Sequence, residues 1–332
     1  MKLSLKNAEK ARNKIINGTK REISKLYQEW AKEIGKEAEK YKNANTYDDK
    51  IKYNQLKILE KQLKNQSKTV LNEVQNLIKQ SIYLSSQTII SENIEWLKEL
   101  GFNSEILNAA FSFVPDSIVR KLITGQIYEQ GWSLSKVLWG DNEKTMQDIY
   151  TLVAKGIAEN KGVYEIAKDL EIYVNPTKKK PWNPVIKMKN TKTGEYEYKR
   201  IYKEKVDYVS QRLARTLSQH AYQQSLVETT EKNPFIQEFV WISNGSRPCE
   251  ICEKRDGKRY KKNELPLDHP NGMCTFDVVV DKNINSKLKN WLRSPDGTYP
   301  EIDKFANTLW NEAKKGKLTL TEKLKKESLF NN

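Results

Sequence analysis

Three features of the sequence predict a predominantly α-helical α+β fold. Apolar residues recur at three- and four-residue spacing through most of the first 170 positions, the period of amphipathic helices. Alternation with period two is confined to short stretches beyond residue 184. Only 37% of the 332 residues are hydrophobic while 30% are charged, and there are 14 glycines, so the core is thin relative to the surface. Long helices packed with a small β module and a basic β-hairpin insertion account for that balance.

The first helix is expected from Ala8 to Ile34, with Ala8, Ala11, Ile15, Ile23, Leu26, Tyr27, Trp30 and Ile34 on its apolar side. Asn17-Gly18-Thr19 is read as an interruption, because Thr19 and Glu22 have the spacing of a capping box for a second segment. A longer helix begins near Thr46 and carries Ile51, Leu59, Leu63, Val70, Val74, Leu77 and Ile78 toward Leu97, where Gly101 stands as its C-terminal glycine. Shorter helices are expected over Ser117–Ile123, Asn142–Ala158 and Val163–Leu170, the last ended by Val174-Asn175-Pro176. A further helix is predicted for Val206–Glu228, a strand for Ile236–Ile242, a second strand for Thr275–Val280, and one helix near Ile302–Ala313 in a polar tail.

Between Pro176 and Lys205, ten Lys or Arg residues stand against three Glu, a net +7. The run VIKMKNTKTGEYEYKRIYK alternates around Lys192-Thr193-Gly194, so a basic, exposed β-hairpin is expected over 176–205. Lys178, Lys179 and Lys180 precede Pro181, and Lys199, Arg200 and Lys203 interleave with Tyr196, Tyr198 and Tyr202. Such a surface contacts either a phosphate backbone or another protein, and the two differ in salt dependence. A charge run that only faces water has the same composition.

The whole chain carries 58 Lys and Arg against 43 Asp and Glu, a net charge of +15, which favours acidic partners or nucleic acid without implying sequence recognition. The N-terminal MKLSLKNAEKARNKI has no apolar run of the kind a signal peptide needs, and no window approaches a membrane span. Three cysteines leave one thiol over in any disulfide scheme, so they fit a reducing compartment and a metal better than an oxidised framework.

All three cysteines and one of the two histidines fall in the 26 residues CEICEKRDGKRYKKNELPLDHPNGMC, from Cys249 to Cys274. Cys249 and Cys252 form a Cys-x2-Cys doublet, and His269 and Cys274 complete a Cys3His set. Zinc takes four such ligands in a tetrahedron, and two doublets joined by a loop supply them. Gly257, Pro266, Pro270 and Gly272 provide the turns. Four protein ligands leave no open position for an activated water, which marks a structural site. The bland counterpart is three buried thiols and a surface histidine.

Two catalytic readings compete. Pro248-Cys249-x2-Cys252 resembles half of a zinc-deaminase signature, but that chemistry needs His-x-Glu, and the chain has His220-Ala221-Tyr222, with no glutamate to move the proton. An HNH-like nuclease would use His269 as its base, with Asn283 and Asn290 downstream, which conflicts with His269 as a zinc ligand. No Ser-His-Asp set and no phosphate-binding glycine loop is present. A non-enzymatic role is expected, with no small-molecule substrate.

The helix RLARTLSQHAYQQS, a strand with Trp241 near its end, then CEIC, Asp256-Gly257 and HPNGMC together resemble the phage head-morphogenesis family, the minor head proteins similar to protein F of phage Mu. The upstream run from Leu134 through Trp139, Ile157 and Gly162 to Leu170 is similar to that family's helical lead-in. The resemblance spans about residues 130 to 280. Where the family often ends His-Pro-x-Cys-x-Cys, this chain has Gly272 in place of the middle cysteine, so Cys274 is the fourth ligand unless Asp268 or water fills in. The apolar spacing gives an N-terminal helical region over 1–125 and the composition a polar helical tail over 286–332, and the resemblance implies a head-morphogenesis domain over 126–285 between them. It also implies a low-copy virion component near the portal, made in the host cytoplasm. Its partners would be the portal, other capsid proteins and phage DNA, with a role in head assembly and DNA delivery.

Overall fold

The structure is a computed structural model, and it describes residues 3–42, 49–128, 131–178, 185–189, 196–200, 205–244 and 248–316. Ten helices and five strands are present among them, a predominantly helical α+β fold. Helices α1 (Lys6–Glu39) and α2 (Asp49–Glu99) are followed by α3 (Ser104–Phe111), α4 (Val114–Thr124), α5 (Leu134–Ala158) and α6 (Val163–Val174). After the hairpin β1 (Val185–Lys189) and β2 (Tyr196–Arg200) come α7 (Tyr208–Thr230), β3 (Ile236–Ile242), α8 (Glu250–Arg255), β4 (Arg259–Lys261) and β5 (Thr275–Val280). Helices α9 (Ile284–Arg293) and α10 (Pro300–Lys315) close the described chain. No described helix is long and apolar enough to cross a membrane.

The predicted break at Asn17-Gly18-Thr19 does not occur. Helix α1 runs unbroken through it for 34 residues, with Ile16 and Ile23 buried on either side of Gly18. Burial of that stripe outweighs the local cost of a helical glycine, which is about 1 kcal/mol relative to alanine. The C-terminal glycine of α2 is where it was expected. Gly101 takes φ +98°, and the Phe102 amide reaches back to the Leu97 carbonyl at 3.1 Å, closing the helix end. Helix α5 starts earlier than the periodicity suggests, because the Ser133 hydroxyl caps it by accepting from the Lys136 amide. The predicted Ser117–Ile123 helix is α4, lengthened by Pro115 in its first turn and stopped by left-handed Gly125. Helices α3, α8 and α9 and strand β4 were not foreseen, and the tail holds two helices where one was expected.

The chain forms two compact units, each assembled from separated segments. Unit 1 comprises Met1–Asn17, Ile78–Gly131 and Ala214–Asn332, and unit 2 comprises Gly18–Leu77 and Trp132–Leu213. Helices α1, α2 and α7 each supply residues to both units, a pattern that no reading of consecutive segments contains.

In unit 2, α5 lies close against α6. A Cβ on Gly156 would stand 2.5 Å from Ile166 Cγ1, so only glycine permits the approach. The hairpin β1–β2 belongs to this unit, antiparallel with Val185 opposite Arg200 and Lys189 opposite Tyr196. In unit 1 an antiparallel sheet in the order β4-β3-β5 pairs Trp241 with Phe276 and Phe239 with Val278. Its inner face joins α3, α9 and α10 in one apolar core, in which Phe305 meets Phe102 and Phe235 edge-on and Trp241 meets Phe276 at 5.2 Å.

Helix α7 passes through unit 1 with every residue from Thr216 to Gln223 buried. A helix enclosed on all sides is ordinarily apolar. This one carries Thr216, Ser218, Gln219, His220 and Gln223 there, so its side chains must find partners inside. Some lie on α2. Ser218 bonds Ser81 at 2.6 Å, Ser225 donates to Ser86 at 2.6 Å, and Asn93 donates to the Thr229 carbonyl at 3.3 Å. The others lie in the cysteine segment.

Candidate metal centre

The segment from Cys249 to Cys274 connects β3 to β5 and contains α8 and β4. Cys249 precedes α8 as its N-cap residue, and Cys252 lies one turn in, which turns the two sulfurs toward one point. Asp256-Gly257 fastens the far end of α8 to β3. The Asp256 carboxylate accepts from the Ser243 amide at 2.7 Å, and the Gly257 amide donates to the Trp241 carbonyl at 2.9 Å. Gly257 needs φ +70° to make that turn. Arg255 covers the Trp241 ring at 4.9 Å and donates to the Leu267 carbonyl, bringing the second ligand loop in over α8.

All four sequence-predicted donors meet here. His269 Nε2 lies 3.0 Å from the Cys252 sulfur and 3.3 Å from that of Cys249, and the Cys252 and Cys274 sulfurs are 3.2 Å apart. Donors that each bind one ion at about 2.0–2.3 Å stand at most about 4.6 Å from each other, so His269 with Cys252 and Cys249, and Cys252 with Cys274, are each close enough to share a cation. Two overlapping triads of donors are formed, Cys249–Cys252–His269 and Cys252–Asp268–Cys274, with Cys252 common to both. The cluster can hold a metal ion.

Local chemistry agrees with that use. The Pro270 carbonyl can only accept, so its 3.0 Å contact to His269 Nδ1 places the proton on that nitrogen and leaves the Nε2 lone pair facing the sulfurs. Burial pushes the Cys252 thiol up, and a cation among the sulfurs supplies the positive charge that its thiolate otherwise lacks. Backbone amide hydrogen bonding from Cys252 draws the exposed Cys249 thiol down. Cys249 and the partly exposed His269 leave one side of the cluster open for entry, while Cys252 and Cys274 are buried.

The two histidines have different surroundings. His269 has one ring nitrogen on a carbonyl and the other against two sulfurs. His220 is not among the thiols. Its Nε2 donates to the Asp268 carbonyl at 2.9 Å and its Nδ1 accepts from the Tyr128 hydroxyl at 2.7 Å. Burial lowers its pKa from 6.5 to about 4, which keeps it neutral.

Residues that the sequence did not single out complete the surroundings. Arg12 is fully enclosed, lies over the Tyr222 ring at 4.5 Å and donates to the Cys274 carbonyl at 3.4 Å. Gln223 donates to the Pro266 carbonyl at 2.6 Å and accepts from the Asp268 amide at 2.9 Å. Thr216 accepts from the Asn271 amide at 2.8 Å. A glutamine or threonine on a helix carries no sequence signal of its own, and their partners lie more than forty residues away.

Of the candidate contact residues, Lys178 is described just after α6, while Lys199 and Arg200 lie in β2. Lys179, Lys180 and Lys203 lie outside the described residues. No protein-family model, curated protein or solved structure matches this chain.

Proposed function

We propose that the cluster binds zinc as a structural ion through Cys249, Cys252, His269 and Cys274, and that the chain is a phage minor head protein. What carries the metal reading is the convergence of His269 Nε2 on the Cys249 and Cys252 sulfurs, with Cys274 against Cys252. A full complement of four protein donors leaves no position for substrate or water, so the ion is a staple. Support for the head-protein reading comes from the resemblance of the helix–strand–CEIC–DG–HPNGMC order, together with a mainly helical, basic chain. On this reading the protein is a low-copy virion component, made in the host cytoplasm and placed beside the portal and other capsid proteins. It takes part in head assembly and DNA delivery. The hairpin with Lys178, Lys179, Lys180, Lys199, Arg200 and Lys203 contacts a protein partner, in which case deleting 178–203 leaves the salt dependence of any DNA binding unchanged.

The HNH-like alternative is separated by one experiment on the purified protein. Elemental analysis should give about one zinc per chain, and incubation with plasmid DNA and a divalent metal should leave the plasmid intact. Zinc-free protein with unchanged melting would sink the metal reading. Cleavage abolished by His269→Ala in a folded variant would establish the nuclease instead. The genes flanking this one should encode a portal protein and a scaffold or major capsid protein.

A further inference from the structure

We infer that Asp268, gripped by Gln219 of α7, is the positioning residue that sets His269 and Cys274 for the metal and is not itself a ligand. The inference rests on the metal reading above. Asp268 belongs to one of the two donor triads, so its carboxylate is near enough to the Cys252 and Cys274 sulfurs to compete for the ion. Its oxygens are already engaged. Oδ1 accepts from the His269 amide at 2.8 Å, and Oδ2 accepts from the Cys274 amide and from Gln219 Nε2, each at 3.1 Å. The two backbone donors belong to the two loop ligands. One carboxylate therefore fixes the residues on both sides of the intervening turn.

Gln219 ties this arrangement to the centre of unit 1. Its Nε2 also donates to the Cys274 carbonyl at 2.7 Å, so the amide group bridges Asp268 and a ligand backbone. Both acceptors are oxygens without protons, which fixes the orientation of the Gln219 amide. Thr216, His220 and Gln223 occupy the same face at helical spacing and bind Asn271, Asp268 and Pro266. Helix α7 is thus a template for the loop 266–274, and the ligands arrive with their backbone already ordered.

Gly272 explains why the carboxylate can sit where it does. A Cβ at this position would lie 2.3 Å from Asp268 Oδ1 and 2.4 Å from its Cγ. The volume a side chain at residue 272 would need is filled by Asp268. The absence of a side chain at 272 and the presence of the carboxylate are one feature.

The test is a cobalt titration of the reduced, metal-free full-length chain, read by absorption and by competition with a chelator of known affinity. The wild type should give the spectrum of a tetrahedral cobalt–thiolate centre. Asp268→Asn and Gln219→Glu, both close to isosteric, should keep that spectral shape and bind 10–100-fold more weakly, the range for loss of groups that orient metal ligands. Gly272→Ala should weaken binding in the same sense. Far-UV circular dichroism establishes that each metal-free variant is folded, and Gln219→Glu and Gly272→Ala decide the matter if Asp268→Asn is not. Unchanged affinity in the folded variants would overturn the inference. So would a changed ligand-field spectrum in Asp268→Asn, which would make Asp268 a ligand. A wild type that binds neither cobalt nor zinc would bring down the metal reading, and this inference with it.

Discussion

His220 shows how a single residue links folding to proton concentration. Its ring is enclosed and holds its one proton on the Asp268 carbonyl. An unfolded histidine takes up a proton near pH 6.5, whereas this one resists until about 4. A depressed histidine pKa means that the unfolded chain gains protons first, so the contribution is full above pH 6.5 and is lost as pH falls toward 4. A gap of that size is worth on the order of 3 kcal/mol. In a histidine-resolved NMR titration the His220 ring signals should stay constant from pH 8 to 5, and a midpoint near 6.5 would refute the buried neutral ring. The four donors were legible in the sequence because cysteine and histidine are rare here and clustered. Arg12, Gln219 and Gln223 were not, since their roles come from partners 262, 55 and 43 residues away.

Among the elements, the glycines separate what periodicity reveals from what packing decides. Gly140 and Gly156 both lie inside α5, and sequence alone gives them the same cost. A Cβ on Gly140 meets nothing within 4 Å, while one on Gly156 collides with Ile166 of α6. Gly140→Ala should therefore stabilise by about 0.5–1 kcal/mol through helix propensity. Gly156→Leu should destabilise by about 1–3 kcal/mol through overpacking. Thermal melting of the two variants checks the opposite signs, and equal shifts would show that α5 and α6 do not approach as described. Gly18 follows the Gly140 pattern, with open space around it, which is why a break inferred from Asn17-Gly18-Thr19 dissolves into a continuous helix. The long helices and the strands of the sheet announced themselves by spacing of three, four or two. Helices α3, α8 and α9 are 8, 6 and 10 residues long, and such short helices depend on the core they cover more than on their own sequence.

For the molecule as a whole, Cys249, Cys252, His269 and Cys274, the ligands proposed for zinc, all lie in unit 1. Removing the ion should therefore act unevenly. Hydrogen exchange with and without a chelator should show lost protection in α8, β4, β5 and the loop 262–274. The amides of α5 and α6 in unit 2 should be unaffected. Equal loss of protection in both units would mean that the chain unfolds as one cooperative body. The net charge of +15 and the helical content were plain from composition. The division into units was not, because α1, α2 and α7 each contribute to both, and consecutive reading cannot assign one helix twice.

The serine pairs between α2 and α7 bear on which wrong structures the chain avoids. Apolar helices can slide past each other by a turn and still bury their stripes. Here Ser81 faces Ser218, Ser86 faces Ser225 and Asn93 faces the Thr229 carbonyl, at intervals of five and seven residues on α2 against seven and four on α7. No uniform displacement restores that unequal set. Each hydroxyl stranded in a dry interior costs about 1–3 kcal/mol, so a slipped pair of helices is penalised at several positions together. The hydrogen bonds add little to stability over water, yet they act as a key that admits one alignment of the central helices.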